Sequence, residues 1–228
     1  MALYPHSYLF ASSRGKCFSG MACKDIIIKS GGKLQDLCRI AISRLKGDTC
    51  VHSIVYFVIG IPDICTLTRK KDGVSYYEES WLNLDVDHVS NMKNLILDTE
   101  SKIKKHGGKV VFSTIAASSF RDWNNHRLMI HKTKYLVYEE NYPEMQEKLH
   151  EILRETNKFI TELNCRNNMI TPFLHTYVHK KKGDKIKYIF SKLVDGVHPS
   201  EDLGCKWFQY MERIILGNET KLAGTTVK

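Results

Sequence analysis

The stretch HSIVYFVIGI, residues 52–61, is nearly continuous in apolar side chains. A strand with one solvated face alternates polar and apolar residues. This one instead predicts burial on both faces, as in the middle of a parallel sheet covered by helices. To its N-terminal side, Ser7–Ala11 and the β-branched DIIIK of residues 25–29 read as two further strands, the second ended by Ser30-Gly31-Gly32. Leu34, Leu37, Cys38, Ala41, Ile42 and Leu45 then recur with the spacing of an amphipathic helix. To its C-terminal side, residues 81–105 read as a helix with Val89, Met92, Ile96 and Ile103 on one face, halted by Gly107-Gly108. KVVFSTI, residues 109–115, makes the next strand, residues 144–163 a second long helix, Met169–Thr171 a last strand and residues 203–216 a closing helix.

Strands alternating with helices imply an α/β fold, a three-layer α/β/α sandwich on a mostly parallel sheet. The expected organisation is one domain over residues 1–216 and a flexible tail over 217–228. In such sheets ligands bind outside the carboxyl ends of the strands, so the residues just after each strand are the candidates for function.

Composition narrows the classes. Hydrophobic residues make up 43% of the 228, enough for a substantial core and against disorder. The longest apolar run, residues 54–61, is far too short to span a bilayer, and MALYPHSYLFASSRGK has no basic start followed by a long apolar stretch. Seven cysteines without a CxxC pair read as reduced thiols, which implies a cytoplasmic or nuclear setting. Cys17 and Cys23 lack a matching second pair of ligands, so no metal or other cofactor is expected. Asn218-Glu-Thr matches a glycosylation sequon, read as chance without an export signal. The formal charge of +9 is concentrated in residues 69–71, 102–109 and 179–182, runs that suit solvated loops and helix ends and could hold nucleic acid non-specifically.

The strand ends carry the chemistry. After the first strand stands Ala11-Ser12-Ser13, after the second Ser30-Gly31-Gly32-Lys33, after the third Gly60-Ile61-Pro62-Asp63, and near the C-terminus Asp195-Gly196-Val197-His198-Pro199. A serine hydroxyl becomes a nucleophile by passing its proton to a neutral imidazole, which an acid holds in the right tautomer. An Asp-to-His spacing of three lets one loop present both of those groups.

This order of blocks resembles the SGNH/GDSL hydrolases, a superfamily of α/β esterases and lipases with a flavodoxin-like topology, and the resemblance covers most of the chain. It implies Ser13 as nucleophile, His198 as base and Asp195 as its acid. It implies the backbone N–H groups of Ser13 and Gly32 as oxyanion donors. At the third block the family carries Gly-x-Asn-Asp, and here Pro62 replaces the asparagine that is its third oxyanion donor. Asn124 and Asn125, past the fourth strand, are candidate substitutes for that donor. The implied substrate is a small acyl or acetyl ester. The alternative is an SGNH-like binding or scaffolding domain that has lost its full oxyanion hole and uses its basic surface, of mobile-element or viral origin. A nucleotide-binding reading is disfavoured because no GxGxxG or Walker loop follows any strand.

Overall fold

The computed structural model describes residues 6–46, 53–72, 75–130, 142–183 and 185–225. Four strands, β1 (His6–Ser12), β2 (Asp25–Lys29), β3 (Ser53–Val58) and β6 (Lys109–Phe112), form a parallel sheet in the order β2-β1-β3-β6. Every residue of β3 is buried, as its apolar run requires, and the rings of Phe10, Phe57 and Phe112 pack side by side across three adjacent strands. Helices flank the sheet: α1 (Leu34–Lys46) packs on α3 (His88–Lys105), α3 on α5 (Tyr142–Arg166), and α6 (Glu201–Thr225) runs against β1. A short α2 (Ile61–Ile64) follows β3, and α4 (Phe120–Ile130) follows β6. The result is the expected three-layer α/β/α arrangement. No helix among the described residues is long and apolar enough to cross a membrane.

Several boundaries differ from the sequence reading. Residues 66–81 form an antiparallel hairpin, β4 (Thr66–Asp72) with β5 (Ser75–Trp81), so Trp81 ends a strand and the helix begins at His88. A second hairpin pairs β7 (His179–Lys182) with β8 (Lys185–Tyr188). Two of the basic runs expected in loops therefore lie in strands. In the third, Lys102 and Lys104 form ion pairs with Asp98 and Glu100 of the same helix.

Met169–Thr171 is not a strand. Its place beside β6 is taken by asparagine side chains from α5, whose amides offer the same donor and acceptor as a peptide. Asn164 accepts from Phe112 N–H at 3.2 Å and donates to Phe112 O at 2.8 Å. One level further on, Asn157 makes the same pair of bonds to Ile115, at 2.6 and 2.9 Å. Asn218 clamps Ile170 likewise, at 2.6 and 3.2 Å. Each clamp satisfies buried backbone groups that would cost about 1–3 kcal/mol apiece if left unpaired. Asn218 is fully buried, so it is no glycan acceptor, and the expected tail is helix as far as Thr225, with Leu222 buried as well.

Candidate active site

Ser13 opens a 3-10 helix (Ser13–Phe18) directly after β1. The chain turns back so closely that a Cβ on Gly15 would stand 2.2 Å from that of Ala11, which reserves the position for glycine. The first N–H groups of such a helix have no helical acceptor, and that of Ser13 is one of them.

Asp195 and His198 come from a loop closed at its base by a bridge between Leu193 and Pro199. Within it, Val194 N–H donates to His198 O at 2.8 Å. Asp195 Oδ1 accepts from the N–H groups of Val197 and His198 at 3.0 and 2.7 Å, a turn built by the side chain itself. Oδ2 is thereby aimed at His198 Nδ1, 2.6 Å away. Gly196 has φ of +80° and accepts from Ser119 N–H at 2.8 Å, which ties the loop to the start of α4.

The structure brings Ser13, His198 and Asp195 together: His198 Nε2 lies 2.9 Å from Ser13 Oγ. Proton positions follow from charge. Burial pushes the Asp195 carboxyl up, but bonds from the ring and N–H of His198 and the N–H of Val197 overcome it and hold its pKa at about 2. A carboxylate can only accept, so Nδ1 carries a hydrogen; in the neutral ring Nε2 then presents a lone pair, to which the Ser13 hydroxyl donates. That is the tautomer able to take a proton from a serine attacking a carbonyl carbon. Trp123 of α4 stands beside the imidazole, ring centres 5.8 Å apart.

Two clefts meet at this pair, and Ser13, Arg14 and His198 line both. One, of about 560 Å³, continues over Cys17, Val194, Pro199 and Phe208 and is largely apolar. The other, of about 530 Å³, runs past Ser30, Gly31, Lys33, Pro62, Trp123 and Arg127.

Two expected donors are placed differently. Gly32 N–H closes a turn onto Lys29 O at 3.0 Å and is spent there, which corrects its assignment to the oxyanion. Gly31, not Gly32, lines the cleft, in a left-handed conformation with φ of +64°. Asn124 is fully engaged: its amide accepts from Ser80 N–H at 2.8 Å and donates to Ser80 O and Tyr142 Oη at 3.0 and 2.9 Å. It anchors the β4–β5 hairpin and is no substitute for an asparagine at position 62. His175, away from both clefts, bonds through Nδ1 to Thr114 Oγ1 at 2.8 Å.

Asp63 caps α1, accepting from Leu34 N–H at 2.8 Å, while its Oδ2 is buried without a partner. Burial raises its pKa to about 6, opposed by the Leu34 N–H and by Lys33. Because the folded protein holds this proton more tightly than an ordinary carboxylate does, stability is highest below about pH 4 as far as Asp63 is concerned. That contribution is lost as pH rises through about 6. Asp63→Asn keeps the acceptor and removes the charge. It should raise stability above pH 6 by about 2 kcal/mol and flatten the pH 4–6 region, measured by urea unfolding across pH.

No protein-family model and no curated protein matches the sequence. Solved structures do match its fold. A GDSL-like lipase from Bacteroides thetaiotaomicron aligns with a TM-score of 0.55 at 12% identity, over 95% of this chain and 88% of that one. A lipase/acylhydrolase from Enterococcus faecalis aligns at 0.52 and 14% identity, over 93% and 96% of the two chains. TesA aligns at 0.51 and 10% identity, over 92% and 98%. The chain has the fold of the SGNH/GDSL hydrolases.

Proposed function

We propose that the protein is a serine hydrolase of small carboxylic esters, acting through an acyl-Ser13 intermediate. The observation that carries this reading is the unbroken series Ser13 Oγ, His198 Nε2, His198 Nδ1, Asp195 Oδ2, with separations of 2.9 and 2.6 Å at its two hydrogen bonds. In the first step Ser13 Oγ bonds to the ester carbonyl carbon and its proton passes to His198 Nε2. The tetrahedral adduct collapses, the C–O bond to the alcohol breaks, and His198 returns the proton to the departing alkoxide. A water then attacks acyl-Ser13 with His198 again as base, releasing the acid and restoring the serine. Asp195 stays ionised throughout and stabilises the imidazolium.

The backbone N–H of Ser13 and that of Gly31, a residue that lines the cleft and whose N–H has no acceptor among the described residues, serve as oxyanion donors in this reading. The apolar cleft over Val194 and Phe208 suits a short acyl chain. The competing reading, a binding domain without turnover, draws on Pro62, which has neither a side-chain nor a backbone donor. Incubation with p-nitrophenyl acetate, acid quench and peptide mass analysis separates the two. Hydrolysis with an acetyl group on Ser13 is expected; neither turnover nor acetylation would leave the binding reading.

A further inference from the structure

Arg14, next to the proposed nucleophile, is buried as a cation without a counter-charge in contact. It is 3% exposed. Its Nη1 donates to Ala116 O at 2.5 Å, and its Nη2 donates to Ala117 O at 3.4 Å and Ser118 Oγ at 2.6 Å, all neutral acceptors. Nε is buried with no acceptor, and no described carboxylate bonds to the group. Burial lowers its pKa to about 10, opposed by the fields of Cys65 and Asp195, so it is charged at neutral pH. Removing a guanidinium from water is costly, and folded proteins ordinarily offset the cost with a carboxylate. A fastener for three neutral acceptors has no need of a charge.

The position of that charge matters. Arg14 lines both clefts beside Ser13. Its Nη1 lies 3.9 Å from where a Cβ on Gly60 would be, against the Gly60–Asp63 turn that carries Pro62. We propose that Arg14 supplies, as a fixed buried positive charge beside the nucleophile, the oxyanion stabilisation that Pro62 withholds. This rests on the serine-hydrolase reading above. An ester carbonyl is neutral before attack and carries a full negative charge after it. A fixed cation in a poorly hydrated site therefore stabilises the transition state more than the bound substrate. The imidazolium that forms at the same moment is held by Asp195, which limits repulsion from Arg14. The benefit falls on kcat, with little effect on KM.

The test is a double-mutant cycle on p-nitrophenyl ester hydrolysis, with Arg14→Gln, Arg14→Lys and Pro62→Asn alone and combined, and thermal midpoints recorded for each. Arg14→Gln should lower kcat about 10²-fold, the scale of one lost oxyanion donor, with KM within about twofold. Arg14→Lys, which keeps the charge, should stay within about tenfold of the parent. Pro62→Asn should raise kcat by a larger factor in Arg14→Gln than in the parent or Arg14→Lys, because one deficit cannot be filled twice. If Arg14→Gln does not fold, Arg14→Met, uncharged and of similar length, closes the cycle in its place. Equal Pro62→Asn factors in all backgrounds, or kcat losses that merely track the thermal midpoints, would make Arg14 a structural fastener and overturn the proposal. Full activity in Arg14→Gln would also overturn it and leave the hydrolase reading standing. A parent protein and a Pro62→Asn variant that neither turn over nor acetylate Ser13 would remove both.

Discussion

Ser13→Ala should lower the rate of p-nitrophenyl acetate hydrolysis at least ~10³-fold, and His198→Ala should do the same. The two changes together should cost little more than either alone, because a nucleophile without its base and a base without its nucleophile leave the same residual site. Asp195→Asn is the more searching variant. Its amide can still meet Nδ1, but an Asn that donates there turns the imidazole to the wrong tautomer, with Nε2 carrying the hydrogen. The expected loss is ~10⁴ in kcat with the loop intact. Steady-state kinetics on purified variants of matched thermal midpoint would read all three. A Ser13→Ala protein with undiminished activity would place the nucleophile elsewhere and sink the triad as drawn.

Gly196→Ala should be nearly as damaging, although Gly196 touches no reacting atom. Its φ of +80° already disfavours any side chain. A Cβ there would also come within 2.8 Å of Ser119 O, Trp123 N and the Cβ of Asp122. Two of those atoms are backbone and cannot swing aside, so the Asp195–His198 loop must lift away from α4 and surrender the bond from Ser119 N–H. Strain and lost contacts together should lower stability by about 3 kcal/mol. A displacement of about 1 Å at His198 should cost ~10² in kcat. Urea unfolding measures the first and kinetics the second. Wild-type values for both would mean that the loop is not pinned to the start of α4.

The parts of the fold that could be read in the sequence are those whose determinants are local. DIIIK is bounded by its own composition and matches β2 residue for residue, and the Leu34–Leu45 stripe matches α1 to within one residue. Asp195 and His198 were legible because their bonds span three residues, and their partner Ser13 because it follows a recognisable strand. What escaped depends on distant partners. Arg14 meets Ala116 across 102 residues, and nothing local distinguishes it from a surface arginine. Asn157 and Asn164 sit on the buried stripe of α5 as isolated polar residues, and only the unpaired edge of β6 and of the chain just after it explains them. Met169–Thr171 has strand-like composition, but the edge it might have joined was already satisfied by amide side chains. Gly31 and Gly32 are interchangeable on paper; the turn onto Lys29 decides which one faces the cleft.

The bond between Ser13 and His198 joins residues 185 positions apart. Contacts of such separation form late in refolding, since the intervening chain must first be ordered around the sheet. During synthesis Ser13 and β1 leave the ribosome long before His198 exists. A nascent chain halted before His198 could assemble the whole parallel sheet and display Ser13 at its rim, yet have no group to receive the serine proton. On the proposed hydrolase reading, esterase turnover would mark the moment when the two ends of the fold meet.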